Sequence, residues 1–158
     1  MLLLRKRKGK SNMCEIRVVI AGPKKFSYDK LKENCDRIIG QAVRDSHNDN
    51  VRIICDTSKG INLLGEYYAK ENGYVISQIK NEMKFLSKNA AVERNRKIME
   101  YASANDNEGI LIAFQDRNNR DIENLVDCAK ECGVHIHLLC RDDTGWEEHA
   151  MQVPASAN

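Results

Sequence analysis

Apolar runs alternate with helical patterns along nearly the whole chain. Five short runs rich in Val, Ile and Leu predict β-strands at Glu15–Ala21, Arg52–Cys55, Tyr74–Ile79, Gly109–Phe114 and Val134–Leu139. The fourth run is apolar at almost every position, which is typical of a strand covered on both faces of a sheet. The pattern therefore predicts a sheet with its core on both sides.

The segments between these strands carry apolar residues at helical spacing. They predict a helix of roughly twenty residues after the first strand, a second helix that stops at Asn72-Gly73 and a third that ends near Ala102. A fourth helix is predicted from the apolar face formed by Ile122, Leu125, Val126 and Ala129. Strands that alternate with helices are joined by right-handed crossovers into a parallel sheet. The predicted fold class is α/β, a three-layer Rossmann-like doubly wound parallel sheet of about five strands.

The domain is predicted to occupy residues 14–140. Residues 1–13 are predicted to form a basic disordered arm, because Arg5, Lys6, Arg7, Lys8 and Lys10 occur there without an acid. Residues 141–158, which contain the only tryptophan, Trp146, are predicted to form a C-terminal tail that frays. Whether Met1 or Met13 is the true start stays open.

Charge excludes some classes of partner. Outside the arm, 20 basic residues stand against 23 acidic ones, so the body has a net charge of −3, which disfavours a nucleic-acid-binding face. The Met1–Leu4 run is too short for a signal peptide or a membrane span. Without a secretion signal, the six cysteines are expected to be free thiols in a reducing cytosol. These observations predict a cytoplasmic protein without membrane or nucleic-acid partners.

A ligand is expected at one edge of the predicted sheet. In doubly wound sheets, ligands bind beyond the carboxyl ends of the strands, where the strand order reverses. This rule selects four loops: Gly22–Phe26, Asp56–Gly60, the approach to Arg94, and Gln115–Ile122. The second loop leads into a helix whose free backbone N–H groups could hold a phosphate. This loop has a single glycine, Gly60, and begins with an acidic residue, Asp56.

Four segments, in order, resemble a known family. They are GPKKF at 22–26, DTSKGINLLGEYYAKENGY at 56–74, RNRKIMEYA at 94–102 and IAFQDRNNRDIENLVDCAKECGV at 112–134. Together they are similar to the YspA/YpsA-type branch of the SLOG superfamily, a Rossmann-like group that also contains DprA and the LOG phosphoribohydrolases. The resemblance implies a domain that senses or processes nucleotide-derived ligands. Superfamily members often self-associate through helices beside the sheet, so a homodimer is an option by resemblance alone.

The resemblance also implies the site residues. The chain keeps eight residues of the family pattern: Gly22, Thr57, Lys59, Gly60, Arg94, Asn95, Asp116 and Arg120. Lys24 and Asp56 occupy positions where the family pattern has a different residue, and they complete the predicted set of ligand-binding residues. Other departures are Pro23, Asn62, Arg117, Asp121 and Ile122. Leu125 falls where LOG enzymes use a glutamate, which disfavours sugar cleavage of that kind.

The chemistry of these loops leaves alternatives open. Asp56 and Asp121 oppose a phosphate, whereas Lys24, Lys25, Lys59, Arg94, Arg117 and Arg120 favour one. Such a cleft could hold a nucleoside-like or zwitterionic ligand, bind nothing because its acids pair with its bases, or hold a divalent metal. Thr57, Ser58 and Gly60 could equally cap the next helix. Asp116 could order a metal or a ribose hydroxyl, or cap its own loop.

Three functions follow from these alternatives. The leading one is a non-catalytic sensor of a nucleotide or nucleotide-derived small molecule. The second is a nucleotide-sugar hydrolase that uses Asp56 or Asp116 as general base, and the third is an interaction protein with a decayed pocket. We predict no cofactor, no metal site and no catalytic residues. His135 and His137, which share one face of the last strand, are expected to form the polar face of an edge strand.

Overall fold

The computed structural model describes residues 14–56, 61–79, 90–116, 120–142 and 145–151. The predicted basic arm, residues 1–13, lies outside the described residues. So do Thr57, Lys59 and Gly60 of the predicted site. None of the helices in the described residues combines the length and hydropathy that crossing a bilayer requires.

One six-stranded sheet forms the centre of the molecule. Its strands are β1 (Ile16–Ala21), β2 (Val51–Asp56), β3 (Val75–Ile79), β4 (Glu108–Gln115), β5 (His135–Asp142) and β6 (Gly145–Met151). They lie in the order β3-β2-β1-β4-β5-β6, and the first five are parallel while β6 runs antiparallel to β5. The strand order therefore reverses between β1 and β4, which is the switch point of a doubly wound sheet.

Helices cover both faces of the sheet. The helices are α1 (Tyr28–Ser46), α2 (Ile61–Asn72), α3 (Ala90–Ser103) and α4 (Arg120–Cys132), and a short 3-10 turn (Ala104–Asp106) follows α3. Alternate residues of β1 point to opposite faces: Val18 packs in a core with α1 and α2, and Val19 in a core with α3 and α4. The two cores confirm the predicted three-layer Rossmann-like fold.

Local sequence signals begin and end the helices. The Ser27 side chain accepts a hydrogen bond from the backbone N–H of Lys30 at 3.3 Å and caps α1. Gly73 and Gly133 follow α2 and α4 with φ of 70° and 73°, a left-handed conformation that glycine adopts without steric cost. The predicted end of a helix at Asn72-Gly73 is therefore confirmed, and the left-handed conformation of Gly73 explains why the helix ends there.

The predicted C-terminal tail is wrong for its first part. Strand β5 continues to Asp142, and Gly145–Met151 forms the edge strand β6 instead of fraying. The Glu148 carboxylate stabilises this edge, since it lies 2.8 Å from Arg37 Nη2 of α1 and 2.6 Å from His137 Nδ1 of β5. Burial alone would raise the pKa of Glu148, but the bonds from His137 and Arg37 outweigh it and hold this pKa below its usual value.

The prediction of an edge strand at His135 and His137 is wrong as well. Strand β5 is paired on both sides, with β4 and with β6. The two histidines do share one face, as expected, because both line the same groove beside α1. None of the six cysteines forms a disulfide, which confirms the expected free thiols.

Candidate functional site

The predicted site residues in the described part of the chain come from the carboxyl edge of the sheet. Gly22 directly follows β1, Asp56 is the last residue of β2, and Asp116 directly follows β4. Arg120 is the first residue of α4, and Arg94 and Asn95 lie in the second turn of α3. Helices α3 and α4 both run back toward the next parallel strand, so their N-terminal turns lie at this same edge. The topology thus brings these residues to the switch-point edge of the sheet.

Gly22 occupies a position without room for a side chain. A Cβ at this residue would lie 2.5 Å from Ile61 Cδ1 and 3.2 Å from Phe114 Cβ. The same loop is held by Phe26, whose ring packs on Phe114 with 4.4 Å between the centroids. Gly22 therefore has a packing role that lets β1, β4 and the start of α2 approach closely. Lys24, two residues on, is exposed to solvent.

A polar cluster joins the N-terminal turns of α3 and α4. The Arg94 Nη2 atom donates to Asp121 Oδ1 at 3.2 Å and to Asn95 Oδ1 at 3.4 Å. Asn95 is 1% exposed, and its Nδ2 donates to Asp121 Oδ1 at 3.1 Å and to Asn124 Oδ1 at 2.8 Å. We call Arg94, Asn95, Asp121 and Asn124 the α3–α4 cluster.

The guanidinium of Arg94 is only partly satisfied by this cluster. Its side chain is 17% exposed, and its Nε is buried without a hydrogen-bond partner among the described residues. A buried N–H without an acceptor has a free-energy cost of about 1–3 kcal/mol. The Asp121 carboxylate balances the charge of Arg94, but the Nε donor has no acceptor among the described residues.

Asp116 has a partner that the sequence did not indicate. Its Oδ1 lies 3.7 Å from Arg141 Nη1, and both side chains are well exposed. The pair joins the ends of β4 and β5, which are neighbours in the sheet. Asp116 is thus placed at the predicted edge but is engaged in a surface ion pair, which contributes little to stability.

Asn124 is the cluster residue that sequence reasoning missed. It lies one helical turn after Asp121 on α4, so the two side chains share a face. That spacing, together with the departure already noted at Asp121, could have indicated it. Arg141 had no such signal, because its contact depends on the pairing of β4 with β5.

The cluster does not resemble a nucleophilic centre. Cys128 Sγ lies 3.9 Å from Asn124 Oδ1, and burial raises the pKa of its thiol. A thiol with a raised pKa stays protonated near neutral pH and reacts poorly. Leu125 is 5% exposed and packs in the core between the sheet and helices α3 and α4. Asp121 is the one carboxylate of the cluster, and it is paired with Arg94 and Asn95.

Comparisons of the chain with protein-family models, curated proteins and solved structures give no match. The resemblance to the SLOG branch therefore rests on the four sequence segments, and the roles it implies for the site residues stay predictions.

Proposed function

We propose that this chain is a cytoplasmic SLOG-like domain that binds a nucleotide or nucleotide-derived small molecule as a non-catalytic sensor. The observation that carries the proposal is the Arg94 guanidinium, which is largely buried at the carboxyl edge and has an Nε donor without an acceptor among the described residues. Because Nε is enclosed in this conformation, a phosphate or ribose oxygen would satisfy that donor after the Arg94 side chain turns outward.

The position of Arg94 supports this ligand class. The α3–α4 cluster lies in the first two turns of α3 and α4, near helix N-termini whose partial positive charge favours anionic groups. The cluster also lies at the edge where the strand order reverses between β1 and β4, the usual location of ligands in this architecture. Asn95, buried and hydrogen-bonded to α4, supports the turn that carries Arg94.

The absence of catalysis in this proposal has its own support. Asp121 is bonded to both Arg94 and Asn95, so its carboxylate is engaged in positioning. The position at which LOG enzymes have a glutamate holds the buried Leu125. A general acid or base requires a titratable group within reach of the reacting atom, and Leu125 cannot act as one.

Replacing Arg94 with glutamine tests the proposal. We expect calorimetric titration of the wild-type protein with adenosine monophosphate, NAD and ADP-ribose to show binding of at least one compound below millimolar concentration. The Arg94→Gln variant should bind that compound at least about tenfold more weakly, because a charge-assisted hydrogen bond is lost.

The matched control is Arg96→Gln, since Arg96 is an exposed residue on the same helix. This variant should keep the wild-type affinity. If no compound binds below millimolar concentration, or if both variants bind as the wild type does, the proposal is wrong.

A second function is favoured by the ion pairs at the carboxyl edge of the sheet. Arg94 lies 3.2 Å from Asp121, and Asp116 lies 3.7 Å from Arg141, so acids of this edge are paired with bases. This is the arrangement expected of an interaction protein with a decayed pocket. In that case the Asp121 carboxylate takes the place that a ligand anion would occupy.

Replacing Asp121 with asparagine separates the two functions. Removing a negative charge beside Arg94 should strengthen binding of adenosine monophosphate about fivefold, which corresponds to about 1 kcal/mol. A sensor binds before and after the change, whereas a decayed pocket binds only after it. Asp127→Asn, an exposed change on the same helix, is the control and should leave affinity unaltered. Equal affinities in all three proteins would show that Asp121 does not oppose anion binding.

A further inference from the structure

A second concave site lies away from the α3–α4 cluster. A groove of about 450 Å³ runs along the face of β4 and β5 that α1 partly covers. Its floor is apolar and consists of Ile38 and Ala42 from α1 and Ile110 from β4, all of which are buried. The groove and the cluster are on opposite faces of the sheet, because Ile110 packs with α1 whereas Met99 of α3 packs in the other core.

The walls of the groove are polar. Helix α1 contributes Arg37, Gln41 and Asp45, β4 contributes Glu108, and β5 contributes the two histidines, His135 and His137. Asp45 is in the last turn of α1 and Glu108 begins β4. Helix α1 runs opposite to the parallel strands, so both carboxylates belong to the end of the groove at the amino edge of the sheet.

Apart from the two histidines, Arg37 is the basic residue of the lining, and it is already neutralised. Arg37 Nη2 lies 2.8 Å from Glu148 Oε1 and donates to Asn34 Oδ1 at 3.0 Å. Asp45 accepts a hydrogen bond from Gln41 Nε2 at 2.7 Å, which leaves its charge uncompensated. None of the ion pairs formed by the described residues involves Asp45 or Glu108. Apart from the histidines, the groove therefore has an excess of negative charge.

We propose that this groove binds a small organic cation with a hydrocarbon body, of the α,ω-diamine class. One ammonium group lies at the amino-edge end, where Asp45 and Glu108 supply the two uncompensated carboxylates. The alkyl chain covers Ile38, Ala42 and Ile110, and the second ammonium lies beside the imidazoles of β5. The volume suits this ligand, since pockets for small molecules measure about 300–1,000 Å³. The described residues contain no group of three His, Cys, Asp or Glu placed for a metal ion, which favours an organic cation.

Titration of the full chain with 1,4-diaminobutane tests this inference, and butane-1,4-diol is the matched uncharged probe. Binding is followed by the NMR resonances of the histidine imidazoles. We expect the diamine to shift the resonances of His135 and His137, and the diol to leave them in place. Glu108→Gln and Asp45→Asn, made separately, should each weaken diamine binding about fivefold.

The control variant is Glu123→Gln, an exposed change on α4 at the opposite face of the sheet, which should bind the diamine as the wild type does. An unchanged NMR spectrum of the folded backbone shows that each variant is native. The inference is overturned if the diamine shifts neither histidine up to about 10 mM. Equal shifts with the diol, or carboxylate variants that both bind the diamine as tightly as the wild type, would overturn it too. None of these outcomes depends on nucleotide binding at the α3–α4 cluster.

Discussion

The Gly22→Ala variant is expected to be less stable than the wild type by about 2 kcal/mol. Its new Cβ would lie 2.5 Å from Ile61 Cδ1, 3.2 Å from Phe114 Cβ and 3.4 Å from the Phe114 carbonyl oxygen. The Ile61 methyl group can move, but Ile61 is 2% exposed and already packed, so its rotation displaces other core atoms. The contacts to Phe114 involve the base of a side chain and the backbone of β4, which cannot move without a shift of the strand.

The matched control is Gly65→Ala. Gly65 lies inside α2, and a Cβ there would meet Ile20 Cδ1 at 3.5 Å, an ordinary van der Waals contact. Alanine in a helix interior is favoured over glycine by about 0.5–1 kcal/mol, so this variant should be more stable than the wild type.

Urea unfolding followed by circular dichroism gives both free energies of unfolding. Opposite signs for the two variants would establish that Gly22 is required by packing. A Gly22→Ala protein as stable as the wild type would contradict this account and would leave ligand contact as the reason for the glycine.

Replacing Glu15 with glutamine is expected to cost about 2–3 kcal/mol. Glu15 Oε1 accepts hydrogen bonds from Arg17 Nε and Arg52 Nε at 2.9 Å each, and its Oε2 accepts one from Arg52 Nη2 at 2.9 Å. Arg52 also donates to Ser77 Oγ at 2.8 Å. The side chains of Glu15, Arg17 and Arg52 are 13–24% exposed. Loss of the Glu15 carboxylate would therefore leave two largely buried guanidinium groups without a counter-charge.

The effect of Glu15 should depend on pH in a defined direction. The hydrogen bond from Arg52 is the largest cause that lowers the pKa of Glu15 below its usual 4.5; burial opposes it and Arg17 assists it. A carboxylate with a lowered pKa stabilises the fold above its unfolded-state pKa, and this contribution is lost as the pH falls through the folded-state value. The stability difference between wild type and Glu15→Gln should therefore be complete near pH 7 and shrink below about pH 4.5.

The control for this variant is Glu33→Gln. Glu33 lies 3.9 Å from Lys30 in an exposed pair on α1, and such pairs contribute about 0–1 kcal/mol. At both pH 7 and pH 3, the free energy of unfolding of Glu33→Gln should differ from that of the wild type by no more than about 1 kcal/mol. A Glu15→Gln protein that loses no more stability than Glu33→Gln at pH 7 would show that the two arginines find other partners.

Most of the fold could be predicted because its signals are local. The run Gly109–Phe114 is apolar throughout, and β4 proved to be covered on both faces and paired on both edges. Strand β6 escaped prediction because an edge strand has one neighbour and carries polar residues such as Glu148. Its anchors, Arg37 and His137, are distant in sequence, and the weak turn signal Asp142–Gly145 was the one local indication.

The sheet edge that carries the candidate site could be predicted from the sequence, but the contacts of its residues could not. The switch-point rule selects the carboxyl edge from strand order alone, and the α3–α4 cluster lies there. The pairing of Arg94 with Asp121 depends on how closely α3 and α4 pack, and the two residues are 27 positions apart. Sequence reasoning could offer internal pairing as one alternative among three, but it could not choose.

The antiparallel course of β6 has a practical consequence. Met151 pairs with Ile136 near the start of β5, and Ile16 begins β1, so the described chain both enters and leaves at the amino edge of the sheet. The α3–α4 cluster belongs to the opposite edge. A surface linker joined at Cys14 or at Met151 would therefore start from the edge of the sheet opposite to that cluster. The diamine groove reaches the attachment edge, so it is the site that such a linker would obstruct first.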